Sequence, residues 1–169
     1  VAATTEEDFR AFVAARQRAL LRTAWLLTAD WAAAADLVQT ALMRTWPRWR
    51  RLATTDDAEA YTRRVLVNAF ISSRKRRWHG EVPTDELPEL PAPSDDVELR
   101  QLVAAAVHAL PPKQRAIVVL RFFNDLTEAQ TAVALGVAIG TVKSQTAKAF
   151  IALRRHPQLD SMTLEEGAV

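Results

Sequence analysis

Residues 79–96, HGEVPTDELPELPAPSDD, hold four prolines and one glycine among carboxylates and offer almost no large apolar side chain. Proline lacks a backbone donor and clashes with the preceding turn, so no helix runs through this stretch. Its composition is that of an extended tether. The chain must therefore build its structure in two pieces, one on each side. Both pieces carry helical periodicity, and neither shows the sustained alternation or regular Gly turns of strands. With 169 residues and 49% apolar side chains, the material suffices for folded helical units. The reading is an all-α fold: two small helical bundles joined by an acidic, Pro-rich linker.

In the first piece a helix is expected from about Glu7 to Thr28, a second from Trp31 to Arg48 ended by Pro47, and a third from about Ala58 to Arg77. The second places Ala34, Leu37, Val38, Ala41, Leu42 and Thr45 on one face, and the third buries Val65, Leu66, Ala69 and Phe70. In the second piece Asp96 caps a helix through His108, and LPPKQRAIVVLRFFNDL opens with proline in its first turn. TEAQ (127–130) matches a capping box of Thr127 with Gln130 and starts a short helix to Leu135. Gly136 ends that helix, and Gly140 or Thr141 starts the last one.

Net charge is only +2, but it is unevenly placed. Residues 79–99 hold seven carboxylates and no Lys or Arg, whereas residues 1–78 and 100–155 each carry an excess of six cations. Two basic blocks around an acidic spacer are suited to a polyanion, although a charge run is also an ordinary solvated face. The last helix sharpens this. GTVKSQTAKAFIALRR (140–155) buries Val142, the Thr146 methyl, Ala149, Phe150 and Leu153, and turns Lys143, Ser144, Gln145, Ala147 and Lys148 outward. It has no acidic residue, whereas a helix made for solubility alone mixes Glu with Lys. With the short helix 127–135 and the turn at Gly136 it forms a helix-turn-helix, in which Ala132 permits close approach while Val137 and Val142 anchor both helices. The second helix of such a unit lies in a major groove. Lys143 and Lys148 can reach phosphate or guanine, Gln145 can pair with adenine, and Ala147 can pack on a thymine methyl.

Other function classes find little support. His79, His108 and His156 lack metal-ligand spacing, no Gly-rich phosphate loop occurs, and no nucleophile–base pair is evident, so neither catalysis, nor a metal, nor a cofactor is expected. LLRTAWLLTADWAAAADLV is interrupted by Arg22, Asp30 and Asp36, so no membrane insertion is expected. VAATTEED has no basic start of a secretory leader, and the chain has no cysteine, which fits a cytoplasmic protein.

Three stretches in register resemble the extracytoplasmic-function (ECF) sigma factors of bacterial RNA polymerase, within the sigma-70 family. LPPKQRAIVVLRFFNDLTEAQTAVALGVAIGTVKSQTAKAFIALR (110–154) resembles sigma region 4. DLVQTALMRTW (36–46) resembles the polymerase-binding part of region 2, and AYTRRVLVNAFISSRKRR (60–77) its promoter-melting and −10-reading part. The resemblance implies region 2 over 5–78, a flexible acidic linker over 79–98, region 4 over 99–155 and a tail over 156–169. It implies an alternative sigma factor that binds core polymerase, at the clamp of the largest subunit and the flap of the second-largest, and reads −10 and −35 promoter DNA. Asp36, Leu37, Gln39, Leu42 and Trp46 match the clamp-binding helix, with Leu37 and Leu42 alternatively core residues.

By the same resemblance Asn68, with Arg64 nearby, matches the −10-reading asparagine. Asp56 or Asp57 corresponds to the segment that captures a flipped base, or caps the third helix; Tyr61 supports that pocket or packs inside. Arg74, Lys75, Arg76 and Arg77 hold phosphates, or complement the helix dipole. Thr141, Lys143, Ser144, Gln145, Ala147 and Lys148 fall on the −35 helix. QTA (130–132) departs from the family's usual Glu-Ile-Ala-like stretch, as do Gln145 and Ala147, which leaves the −35 sequence open. Thr40 stands where a glutamate is usual. The linker is a nucleic-acid mimic or a simple tether. An anti-sigma factor is a further implied partner, and the free chain is expected to be a monomer.

Overall fold

The computed structural model describes residues 5–52, 54–77, 95–157 and 159. Most of the linker and residues 160–169 lie outside the described residues, as do the side chains of Lys75, Arg76 and Arg77. Among the described residues there are seven α-helices and no strand: α1 (Glu6–Thr28), α2 (Trp31–Thr45), α3 (Thr55–Arg77), α4 (Asp95–His108), α5 (Pro112–Val118), α6 (Glu128–Leu135) and α7 (Ile139–Arg154).

Side chains set the helix starts. Thr5, Thr54 and Thr127 each accept a bond from the backbone N–H three residues on, while Asp8, Asp57 and Gln130 return a bond to the threonine N–H. These are three capping boxes, which satisfy donors that a helix start would otherwise leave bare. At α2 the Asp30 carboxylate accepts from the N–H groups of Ala32 and Ala33 at 2.7 and 3.0 Å. The ends differ more from expectation. α2 stops at Thr45, and Pro47 opens a 3-10 turn over Trp46–Arg51 that sets Trp49 into the core. α3 begins three residues before Ala58, because the box led by Thr54 fixes it. α4 begins at Asp95, inside the range expected as linker, and α5 runs on into a π-helical turn, Val119–Phe123.

The first three helices pack on one another through the expected stripes: Ala34, Leu37, Val38, Ala41 and Thr45 of α2, and Val65, Leu66 and Phe70 of α3, are buried. Thr45 and Thr62, both fully buried, are 2.9 Å apart, and each lies within bonding distance of the carbonyl four residues back. Two hydroxyl protons serve three contacts there, so one contact is always short of a proton. A smaller cluster of Phe12, Trp49 and Ala58, with Phe9 against it, closes the end of this unit.

The two blocks are not independent. Leu27, Leu66 and Phe70 share one continuous core with Val107, Leu110, Val118 and Leu120. α3 touches α1 and α2 on one side and α5 and α6 on the other. Val65, Leu66 and Val67 are consecutive and all buried, as a helix covered on more than one face requires.

Candidate nucleic-acid interface

The helix-turn-helix forms as the sequence implies. Ala132, Ile117 and Val142 make its small core, with Leu135 and Val137 against them. Gly136 takes φ +65°, the left-handed conformation that glycine adopts without penalty, and the Val137 N–H reaches back to the Ala132 carbonyl at 3.0 Å. α7 starts at Ile139, one residue before Gly140, and its cap residue Ala138 has no side-chain oxygen to bond the first turn. Thr141, Lys143, Ser144, Ala147 and Lys148 are exposed, Gln145 is half-buried, and Val142 and Ala149 are buried opposite them. Phe150 is a correction: it is 37% exposed and packs edge-on against Phe122, with ring centroids 5.2 Å apart, instead of entering the core. The face is not free of carboxylate either, because Glu128 of α6 lies 3.8 Å from the Lys143 ammonium and 3.8 Å from Arg121. The Ser144 hydroxyl donates to the Thr141 carbonyl at 3.1 Å.

The residues assigned to −10 recognition line one side of α3 and its start. Asp56 and Asp57 are exposed, but Asp57 serves the capping box with Thr54, whereas no helix-capping bond involves Asp56 among the described residues. Tyr61 is half-buried under the Arg48 guanidinium, 5.3 Å from its ring centre, and Arg64 is exposed. Arg74 lies 5.8 Å over the Phe70 ring. Asn68 is half-buried, and its Nδ2 donates to the Ala134 carbonyl of α6 at 3.3 Å. A cleft of about 820 Å³ opens beside it, bordered by Arg51, Asp57, Tyr61 and Arg64 on one side and Asn124, Asp125 and Gln130 on the other.

On α2, Asp36 and Gln39 are exposed, Leu42 is half-buried and Trp46 is 43% exposed. Leu37 is in the core, the alternative left open for it, and offers no surface for contact. Met43, which the sequence reading passed over, is 68% exposed and joins Gln39, Leu42, Trp46, Phe9 and Val13 around an apolar groove of about 620 Å³.

Sequence reasoning also missed the polar contacts between the blocks. Arg115 of α5 is buried, and its guanidinium donates to the carbonyls of Leu27 at 2.6 Å, Leu110 at 3.1 Å and His108. Burial, and then Arg74, push its pKa down to about 10. The His108 Nε2–H donates to the Trp25 carbonyl at 3.2 Å, which assigns the proton to Nε2, and burial followed by the Arg115 charge holds this imidazole below its usual value. Asn124 Nδ2 donates to Thr23 Oγ1 at 2.9 Å. The available signal was an arginine falling on the apolar stripe of PKQRAIVVL.

Comparison with known proteins agrees with this layout. Residues 12–80 match the family described as Sigma-70 region 2, and residues 100–153 match Sigma-70, region 4. The chain is 41% identical over 165 residues to an RNA polymerase sigma-E factor of Streptomyces coelicolor, covering 94% of this chain and 92% of that one. It is 34% identical over 143 residues to the ECF RNA polymerase sigma factor SigL of Mycobacterium tuberculosis, covering 80% of each. Among solved structures, the sigma factor RpoE in complex with the anti-sigma factor NepR from Bartonella quintana aligns with TM-score 0.71 and 26% identity over 88% of this chain and 95% of that one. CnrH in complex with the cytosolic domain of CnrY, at 19% identity and TM-score 0.64 over 99% of this chain and 94% of that one, shares the fold. Two region matches in the expected order, and relatives spanning nearly the full length, lead to one conclusion: the chain belongs to the sigma-70 family, in its ECF group, and is an alternative sigma factor that directs promoter-specific transcription initiation by RNA polymerase.

Proposed function

We propose that the work is divided along the chain as follows. Residues 5–78 bind the clamp of the largest polymerase subunit and open and read −10 DNA. Residues 99–155 read −35 DNA and meet the flap of the second-largest subunit. The linker 79–98 joins them, and 156–169 is a tail. The observation that carries this reading is the face of α7, where Thr141, Lys143, Ser144, Ala147 and Lys148 are exposed together above the buried Val142 and Ala149. That is the arrangement a recognition helix needs to reach base edges and phosphates. The uncapped first turn of α7 adds free N–H groups that favour a phosphate.

At −10, Asn68 and Arg64 face the non-template strand, Asp56 accepts from a flipped base over Tyr61, and Arg74 to Arg77 hold phosphates. For the clamp, the contact set is Asp36, Gln39, Leu42 and Trp46, extended by Met43, whose exposure beside an apolar groove is what an interface core offers. Phe122, Phe150 and Ile151, all exposed, supply the apolar surface for the flap. The chain itself catalyses nothing; the chemistry belongs to the polymerase. It acts in the cytoplasm, and among the described residues no helix is long and apolar enough to cross a membrane. An anti-sigma factor is a further partner, by analogy with the RpoE complex with NepR, and would cover Asp36–Trp46 and Lys143–Lys148.

The test is run-off transcription with bacterial core polymerase, this protein and a genomic promoter library. Specific starts that disappear with Asn68→Ala or Lys143→Ala support the assignment. Binding to core with no transcript on any template refutes it.

A further inference from the structure

Met43 is the most exposed large apolar side chain among the described residues, at 68%. It lies four residues after Gln39 and three before Trp46, so the three share one face at the end of α2. That face borders the apolar groove completed by Phe9 and Val13 of α1. Met43 belongs to none of the three buried clusters, so the fold does not depend on its sulfur. The chain has no cysteine and two methionines, of which the second, Met162, lies outside the described residues. With no thiol present, an exposed thioether is the soft, polarizable group that a two-electron oxidant meets.

Oxidation at this position has different consequences in the free and the bound chain. A sulfoxide is polar and chiral where the thioether was apolar and adaptable. On the free chain water solvates its oxygen, and α2 carries it without strain. In the core of an interface that water is stripped away, and an acceptor left without a donor is costly. With a peroxide as oxidant, the Met43 sulfur attacks one peroxide oxygen and the O–O bond breaks. That oxygen stays on sulfur and the other leaves as water; sulfur gives up the two electrons that the peroxide takes.

We propose that Met43 is an oxidation site on the polymerase-binding face: peroxide converts its thioether to the sulfoxide, and the oxidised chain loses its hold on core polymerase until methionine sulfoxide reductases restore it. The inference rests on the placing of Met43 in the clamp contact. Polymerase covers the groove once bound and shields the sulfur, so oxidation removes chains from the free pool and spares those already engaged.

The experiment uses the full chain carrying Met162→Leu, in which Met43 holds the only sulfur. It is treated with millimolar hydrogen peroxide, alone or already bound to bacterial core polymerase. Peptide mass spectrometry locates the added oxygen, circular dichroism follows helix content, and surface plasmon resonance on immobilised core gives the affinity. One oxygen is expected on Met43 with helix content kept, and affinity for core should fall roughly tenfold. Reductases for both sulfoxide epimers should restore it. Met43→Leu, whatever its own affinity, should be unmoved by peroxide, and the chain bound to core should take up oxygen several-fold more slowly. Oxygen appearing first on Trp46, or loss of helix on oxidation, overturns Met43 as the site. Equal rates of uptake in the free and bound chain overturn the shielding. Unchanged affinity with the sulfoxide in place, or no recovery once the reductases have removed the oxygen, overturns the switch. Met43→Gln, polar and of similar length, separates this proposal from the reading beneath it. If that variant binds core as tightly as the parent, the clamp assignment of Met43 is at fault; if it binds weakly while the sulfoxide binds normally, the oxidation proposal alone fails.

Discussion

Replacing Glu128 by Gln should tighten binding to −35 DNA, although the residue stands on the helix that precedes the recognition helix. Its carboxylate lies 3.8 Å from Lys143 and 3.8 Å from Arg121, and the Lys143 side chain is 63% exposed. At that separation the attraction in water is about 1 kcal/mol by Coulomb's law, and an exposed pair of this kind retains ~0.2–1 kcal/mol after screening and side-chain entropy. Lys143 must give up that pairing to reach a phosphate. The carboxylate also repels the phosphate by roughly 0.3–0.6 kcal/mol if it sits about 7 Å away. Glu128→Gln removes both costs while the capping box of Thr127 and Gln130 stays in place. The expected result is a two- to fivefold tighter complex at ~0.1 M salt, and a log–log salt dependence steeper by up to about 0.9 as Lys143 neutralises a phosphate in full. Fluorescence anisotropy on the duplex recovered by run-off, titrated from low to high salt, measures both quantities. Lys143→Ala in each background completes the cycle, and its effect should be larger without Glu128. Weaker binding in Glu128→Gln, or an unchanged salt slope with helix content intact, refutes the argument.

Acidity should loosen the protein through His108. Its pKa is lowered in the fold, so the unfolded chain protonates first; the stability it contributes is fully present above about pH 6.5 and is lost as pH falls toward the folded value, by at most ~1.4 kcal/mol per pH unit. Thermal melts between pH 7.5 and 5.5 should show this fall, and His108→Gln should flatten it. The two neighbouring aspartates should separate by role. Asp57→Ala breaks the box with Thr54 and should cost about 1 kcal/mol in urea unfolding, whereas Asp56→Ala should stay within ~0.5 kcal/mol and weaken capture of −10 single strand. At Gly140 an added Cβ would meet nothing within 4 Å, so Gly140→Ala should raise stability by roughly 0.5–1 kcal/mol, and a loss of −35 affinity in the same variant would show that DNA backbone approaches there.

What the sequence disclosed was local chemistry. Thr127 with Gln130, Gly136, Pro47 and the stripe of α2 act over at most a few residues, and each does what its spacing implies. Helix starts set by a less evident cap were misplaced: Thr54 begins α3 earlier than expected, and Ala138 begins α7 without a polar cap. Phe150 reads as core by periodicity but finds Phe122 on the surface, because a period reports a face and not what covers it. The docking of the blocks was invisible for a related reason. Asn68 meets Ala134 across 66 residues, Arg115 meets Leu27 across 88 and Asn124 meets Thr23 across 101, and no pattern in one chain encodes such pairs. Charge even argued against it, since two basic blocks repel; the shared apolar core and hydrogen bonds to neutral carbonyls outweigh that repulsion.

Because α3 is packed from both sides, the direction of synthesis matters. α1, α2 and α3 leave the ribosome first, and their mutual contacts are complete once Arg77 has emerged. Arg115 lies nearly forty residues later, an interval of about 2–8 s at the usual ~5–20 residues per second. During that interval the newly made first block exposes Phe70, Asn68 and the Leu27 carbonyl with nothing yet available to cover them. A chain halted in those seconds therefore carries an unfinished core, which only the arrival of α4 and α5 closes.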